Sequence, residues 1–268
     1  MISFEGLSLG FLFIRWSGLL IALGVAAGAA LSVYEAKRRR EDRELIYHLF
    51  LPTVLWGALG ARLWFIFTPP LSSTQLGLTT PYYLSHPLDM LALWMGGYGI
   101  PGLWIGGLVA LAFVSHQHDI PFWDLADLLA PGFALAHAIG RLGNYFNQEL
   151  YGLPAPANLP WKIFIAPEYR LAGFEAVEYY HPLFAYESIL LFIGFIFLLR
   201  FARRYLPSGS LFLAYLMFYS CVRCLLEFLR LDVALVNGMN VNQIFFAAVF
   251  ILAGVRLYWQ HRSVVVTT

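Results

Sequence analysis

"RWSGLLIALGVAAGAALSVYEAKRRREDR", Arg15 to Arg43, is the stretch that decides the fold. No charge interrupts it from Trp16 to Tyr34. At 1.5 Å of rise per residue such a run reaches about 28 Å as a helix, close to the thickness of bilayer hydrocarbon. Five cations then follow, Lys37, Arg38, Arg39, Arg40 and Arg43, the pattern that holds a segment end on the cytoplasmic side. The apolar run, which begins at about Phe11, is long enough to span and has no basic region before it. It is therefore expected to stay as a membrane helix rather than be removed as a leader.

The rest of the chain agrees. Of 268 residues, 60% are apolar, 17% aromatic and 12% charged, with a mean hydropathy of +0.67, against about 25% charged in ordinary soluble domains. Six further apolar runs are long enough to cross, over residues 47–67, 90–114, 124–146, 183–201, 211–229 and 241–259. The expected fold class is an all-α integral membrane protein, with seven transmembrane helices in a single domain over residues 1–268. Arg200, Arg203, Arg204, Arg256 and Arg262 fall on the same side as the first cationic cluster, whereas only Lys162, Arg170 and Arg230 fall on the other. The positive-inside rule puts the N-terminus outside and the C-terminus in the cytoplasm. Two long connections, 69–90 and 148–182, then lie on the outer side, and the prolines and aromatics of the second point to a small folded cap. No internal repeat of the kind that builds inverted-repeat transporters is visible.

A net charge of +1 argues against nucleic acid or another polyanion as partner, so recognition of a phosphate has to come from placed arginines. Cys221 and Cys224 stand one helical turn apart in an apolar run and read as small residues of a packed helix; no metal site or cofactor is expected. Four arginines, Arg15, Arg62, Arg141 and Arg223, fall in or at the edge of spans, at about 2.5 to 3.5 kcal/mol each if central. Arg15 and Arg62 suit structural pairing or snorkelling. Arg141 sits in "HAIGRLGNYFNQELYG", His137 to Gly152, with Asn144, Asn147 and Glu149 close behind, and with Gly140, Gly143 and Gly152 leaving room for close approach. On an ideal helix Arg141, Asn144 and Glu149 share one arc and Asn147 falls outside it, so the helix is expected to end near Asn147, at the outer face. In the sixth run Tyr219, Arg223 and Glu227 form a stripe at i, i+4 and i+8. Glu227 could simply neutralise Arg223. Two spans that each bring an arginine could instead hold a phosphodiester from both sides. In the third run "GGYGIPGLWIGG", Gly96 to Gly107, either opens the helix to line a cavity, with Gly96 and Gly97 at it, or serves close packing through Gly102 and Gly106.

"GRLGNYFNQELYG" resembles the signature of the bacterial prolipoprotein diacylglyceryl transferase family at Gly140, Arg141, Gly143, Asn144, Tyr145, Asn147, Glu149 and Gly152. "GALGARLWFIF", "YYLSHP", "HPLFAYES" and "YSCVRCLLEFLR" extend the likeness over nearly the whole chain. The resemblance implies a seven-span protein of the bacterial inner membrane with its active site toward the outer leaflet. It implies transfer of the diacylglyceryl group of phosphatidylglycerol to the lipobox cysteine in the signal peptide of a prolipoprotein, forming a thioether and releasing glycerol phosphate. By the same resemblance Arg141 binds the head group, Asn144 and Glu149 shape that site, and Arg223 stabilises the leaving phosphate. The set carried forward is Arg141, Arg223 and Glu149 as catalytic, with Asn144, Asn147, Gly152, Tyr219, Glu227, Gly96 and Gly97 binding substrate. The nucleophile belongs to the substrate, so no enzyme cysteine is required.

Three positions depart from the family's pattern. Pro101 stands where the family's third-span motif has histidine or tyrosine, a group proposed to activate the thiol; Ser17 replaces a tyrosine; Phe184 replaces a common glutamine. Proton removal would fall to another group, with His137 and His181 as candidates, or to the lipid phosphate. Otherwise the chain would be a homologue that binds phosphatidylglycerol or prolipoprotein without transfer. A transporter of anionic lipid or solute is a further alternative, disfavoured by the one-sided polar residues and the lack of a repeat.

Overall fold

The computed structural model describes residues 4–10, 13–92, 96–202 and 206–266. A short hairpin, β1 (Gly6–Ser8) and β2 (Phe13–Arg15), leads into α1 (Trp16–Arg39) and α2 (Glu44–Phe67). Three short helices follow, α3 (Leu71–Gln75), α4 (Thr80–Ser85) and α5 (Pro87–Leu91). Next come α6 (Ile100–Gln117), α7 (Phe122–Arg141) and the single turn α8 (Gly143–Phe146). The two-residue strands β3 (Ile163–Phe164) and β4 (Tyr179–Tyr180) pair before α9 (Leu183–Phe201) and α10 (Ser210–Leu226). A last hairpin, β5 (Leu235–Val236) and β6 (Met239–Asn240), opens α11 (Val241–Val266).

Among the described residues, six helices are long and apolar enough to cross a membrane: α1, α2, α6, α7 continued through α8, α9, and α11 as far as Gln260. The chain is thus an all-α multi-pass membrane protein. The remaining expected span corresponds to α10, which is apolar but has 17 residues, about 25 Å. It is also the most enclosed, with Leu211 to Leu213, Tyr215, Leu216, Tyr219, Val222 and Arg223 all buried. The third run is shorter than its composition suggests. Instead of starting at Met90, α6 starts at Ile100, because Gly96 and Gly97 take φ of +77° and Pro101 falls in the first turn, where a missing N–H breaks no helical bond. The part of that run over Leu93–Met95, and Arg203 and Arg204 of the charge count, lie outside the described residues.

Glycines set the closest helix contacts. A Cβ on Gly24 would meet the Ala136 carbonyl oxygen at 2.6 Å and one on Gly28 the Gly132 oxygen at 2.6 Å, so α1 and α7 touch backbone to backbone. Gly60 and Gly102 do the same between α2 and α6, and Gly106 lies against the Trp56 carbonyl. Of the two readings of the third run, Gly102 and Gly106 therefore serve packing. Asp127 of α7 accepts the backbone N–H groups of Gly209 and Phe212, each at 2.8 Å, satisfying donors left open at the start of α10. That bond fixes the axial position of α10 against α7, and so the height at which their arginines meet. A second small core, Tyr151, Ile165, Leu171, Tyr180 and Leu231, holds the segment after α8 together.

Candidate active site

Three helices bring charge to one buried point. Glu187, in the second turn of α9, is wholly buried. Its Oε2 accepts from Arg223 Nη1 of α10 at 2.9 Å, and its Oε1 lies 2.8 Å from Arg141 Nη2 at the end of α7. Tyr219 donates its hydroxyl to Oε1 at 3.2 Å. The Nε2 of His137, one turn before Arg141, lies 3.8 Å from the same oxygen. Trp104 of α6 stacks on Tyr219 at 4.6 Å between centroids, and the His137 ring packs on Tyr219 at 4.8 Å. Burial of this many charges is tolerated only when they are paired.

The pairing is nonetheless incomplete. Arg141 approaches Glu187 without the alignment of a hydrogen bond, and its buried Nε and Nη2, with Arg223 Nε, have no hydrogen-bond partner. Buried donors of this kind are costly. Two guanidiniums with spare N–H groups form a receptor for an anion with several oxygens, which is what a phosphodiester offers.

A second polar group forms where the helix gives way. After α8 the chain turns through Gln148 (φ +50°) and Leu150 (φ +54°), which folds Glu149 back over the turn. Its Oε1 accepts from Asn144 Nδ2 at 2.9 Å and from Asn147 Nδ2 at 2.8 Å. The ideal-helix arc left Asn147 aside; because the helix stops, it joins Asn144 instead. Gln148 Oε1 accepts the Ala166 N–H at 2.6 Å, tying this turn to the segment that follows.

Other expected residues have structural surroundings. Glu227 accepts from Arg223, from Arg230 Nη1 at 3.0 Å and from Asn240 Nδ2 at 3.1 Å, closing the end of α10 onto β6. Gly152 is wedged: its N–H donates to the His181 carbonyl at 2.8 Å, and an added Cβ would meet Leu183 and, at 2.7 Å, the Leu229 carbonyl oxygen. Gly96 and Gly97 are not joined to the Glu187 cluster. They lie on Arg62, whose Nη1 reaches the Gly96 oxygen at 2.5 Å and the Gly97 oxygen at 3.4 Å, while Nη2 and Nε reach the Asp89 and Met90 oxygens at 2.6 and 3.2 Å. Arg62 is thus a fastener for the segment before α6. His181 pairs through Nδ1 with the Tyr186 hydroxyl at 3.1 Å, which also accepts from Trp161 at 2.8 Å. Among the described residues no three His, Cys, Asp or Glu side chains converge as a metal site requires.

The residue that sequence reasoning passed over is Glu187. Its signal was present, a lone acid in the apolar run 183–199, and an intramembrane carboxylate implies a buried partner. The arginines drew attention because they sat among other polar residues; Glu187 finds its partners only through the fold.

The prolipoprotein diacylglyceryl transferase family model matches residues 6–260. The chain belongs to this family. Relatives named phosphatidylglycerol–prolipoprotein diacylglyceryl transferase include that of Trichormus variabilis, 38% identical over 237 residues, covering 86% of this chain and 80% of the relative. That of Parasynechococcus marenigrum is 36% identical over 267 residues, covering 94% and 92%. That of Thermosynechococcus vestitus is 36% identical over 259 residues, covering 95% and 92%. The match spans every element from β1 into α11, so membership in the family rests on the whole bundle and not on one motif.

Proposed function

We propose that this protein is a phosphatidylglycerol–prolipoprotein diacylglyceryl transferase of a bacterial inner membrane. It moves the diacylglyceryl group of phosphatidylglycerol onto the lipobox cysteine thiol of a prolipoprotein signal peptide and releases glycerol phosphate. The observation that carries this reading is the pair of buried guanidiniums, Arg141 and Arg223, set on either side of Glu187 with N–H groups left over. In this reading α10 is a seventh span, the N-terminus is outside, and residues 69–90 and 148–182 cover the site from the outer leaflet as loop and cap.

Arg141 takes the lipid phosphate through its unpartnered Nε, and Arg223 meets the charge that grows on phosphate as the carbon–oxygen bond breaks. Donors fixed in advance in a site poor in water are worth several kcal/mol of barrier. Glu187 and Tyr219 hold the two guanidiniums apart until the lipid arrives. Asn144, Asn147 and Glu149 form the polar end of the site, where glycerol hydroxyls find both donors and an acceptor.

Complementation tests the reading. A strain depleted of its own transferase and expressing this chain is expected to lipidate a model prolipoprotein. Well-folded protein in the membrane with no lipidated product would reject the transferase in favour of a homologue that binds and does not transfer.

A further inference from the structure

We propose that His137 is the base that removes the substrate thiol's proton, with Glu187 as the carboxylate that holds the resulting imidazolium. This rests on the transferase reading above, which requires a thiolate at the moment of attack, since the thiol itself is a poor nucleophile.

The assignment follows from which basic atoms around the two arginines are free. Glu187 has both oxygens engaged, by Arg223 Nη1, Arg141 Nη2 and the Tyr219 hydroxyl. Glu227 is engaged by Arg223, Arg230 and Asn240. Tyr219 is itself a donor. Pro101, at the start of α6, offers nothing that titrates. His181 is paired with Tyr186. Among the described residues of this cluster, His137 alone has a ring without a hydrogen bond: its Nε2 is buried and unpartnered, 3.8 Å from Glu187 Oε1.

The ring is 16% exposed, and because Nε2 is sealed that exposure belongs to its other atoms. Nε2 thus faces the carboxylate and Nδ1, the other nitrogen, is left for the substrate. A carboxylate on one ring nitrogen and a proton transfer on the other is the arrangement of a histidine that acts as a general base. The charges around the ring are Glu187 from α9, Arg223 from α10 and Arg141 from α7 itself, with the phenol of Tyr219 on α10. The packed parts of α1 (residues 16–33) and α6 (residues 100–114) contain no titratable side chain.

The step balances without an outside oxidant or reductant. The S–H bond breaks and its proton goes to His137 Nδ1. The sulfur electron pair forms the S–C bond to the terminal glyceryl carbon as that carbon's C–O bond to phosphate breaks. The C–O electrons leave on the phosphate oxygen, where Arg141 and Arg223 meet them, and His137 returns the proton to the departing glycerol phosphate.

The test compares wild type with His137→Gln in phosphatidylglycerol nanodiscs, using two lipobox peptides, one with cysteine and one with selenocysteine, whose selenol is ionised at neutral pH. With the cysteine peptide, kcat at pH 7 is expected to fall about 100-fold, the usual contribution of a base, with KM unchanged, and the deficit is expected to shrink toward pH 9 as the thiol ionises unaided. With the selenocysteine peptide the variant should match wild type, which also shows that it is folded. Equal loss with both peptides, a loss independent of pH, or no loss with cysteine would each overturn the assignment while leaving the transferase reading intact. Wild type that alkylates neither peptide would overturn both.

Discussion

Glu187→Gln keeps shape and hydrogen-bonding capacity at the centre of the bundle and removes one negative charge. Glu187 is fully buried, Arg223 is 2% exposed at its side chain and Arg141 10%. Arg223 retains Glu227 after the change; Arg141 retains no carboxylate. Removing one partner of a buried pair costs about 3 to 5 kcal/mol, and the slight exposure of Arg141 puts this case near about 3. At about 2 °C per kcal/mol for a chain of this length, the midpoint of thermal unfolding in neutral detergent should fall by about 6 °C. The same change empties the space between the guanidiniums of its competing anion. Phosphatidylglycerol, but not phosphatidylcholine, should then raise the midpoint of the variant more than that of wild type, since a ligand that binds only the folded state stabilises in proportion to its affinity. The assay is fluorescence-detected melting of the purified proteins with each lipid. A variant that melts with wild type, or gains no more from phosphatidylglycerol, would refute the view that Glu187 holds an anion site closed between Arg141 and Arg223.

Arg141→Lys keeps the charge but loses the planar fork, so thioether formation should fall by at least tenfold with little change in melting; near-normal turnover would remove Arg141 from the head-group site. Arg62→Ala leaves the carbonyls of Asp89, Met90, Gly96 and Gly97 without their donor, and should cost about 2 kcal/mol or more of stability while the remaining folded protein keeps its kcat. Gly152→Ala forces a methyl group against Leu183 and the Leu229 carbonyl; overpacking of about 1 to 3 kcal/mol should appear as a lower melting point, and an unchanged one would mean the wedge is loose.

The membrane class was legible because apolar length is a property of each segment alone, as in Trp16–Arg39 or Leu183–Phe201. The end of the fourth run near Asn147 was legible too, from the polar residues crowding there. Less legible was the start of α6: composition alone made 90–114 one apolar run, whereas positive φ at Gly96 and Gly97 and a first-turn proline at Pro101 delay the helix to Ile100. At the candidate site, the i, i+4, i+8 stripe put Tyr219, Arg223 and Glu227 on one face of α10, but spacing could not say which partner each faces. Tyr219 turns to α9 and Glu227 to Arg230 and β6. Glu187 was hidden for the same reason, because its meaning lies in two arginines 46 and 36 positions away, brought together by α7 and α10.

The most direct measurement is one turnover with both products counted. Purified protein is mixed with phosphatidylglycerol carrying a labelled head-group glycerol and with a lipobox peptide, and the peptide mass and free labelled glycerol phosphate are followed together. The account predicts that the peptide gains one diacylglyceryl group for each glycerol phosphate released, that a cysteine-to-serine peptide gains none, and that Arg223→Ala abolishes both. An unmodified peptide with the labelled lipid intact, from protein that binds phosphatidylglycerol, would contradict it.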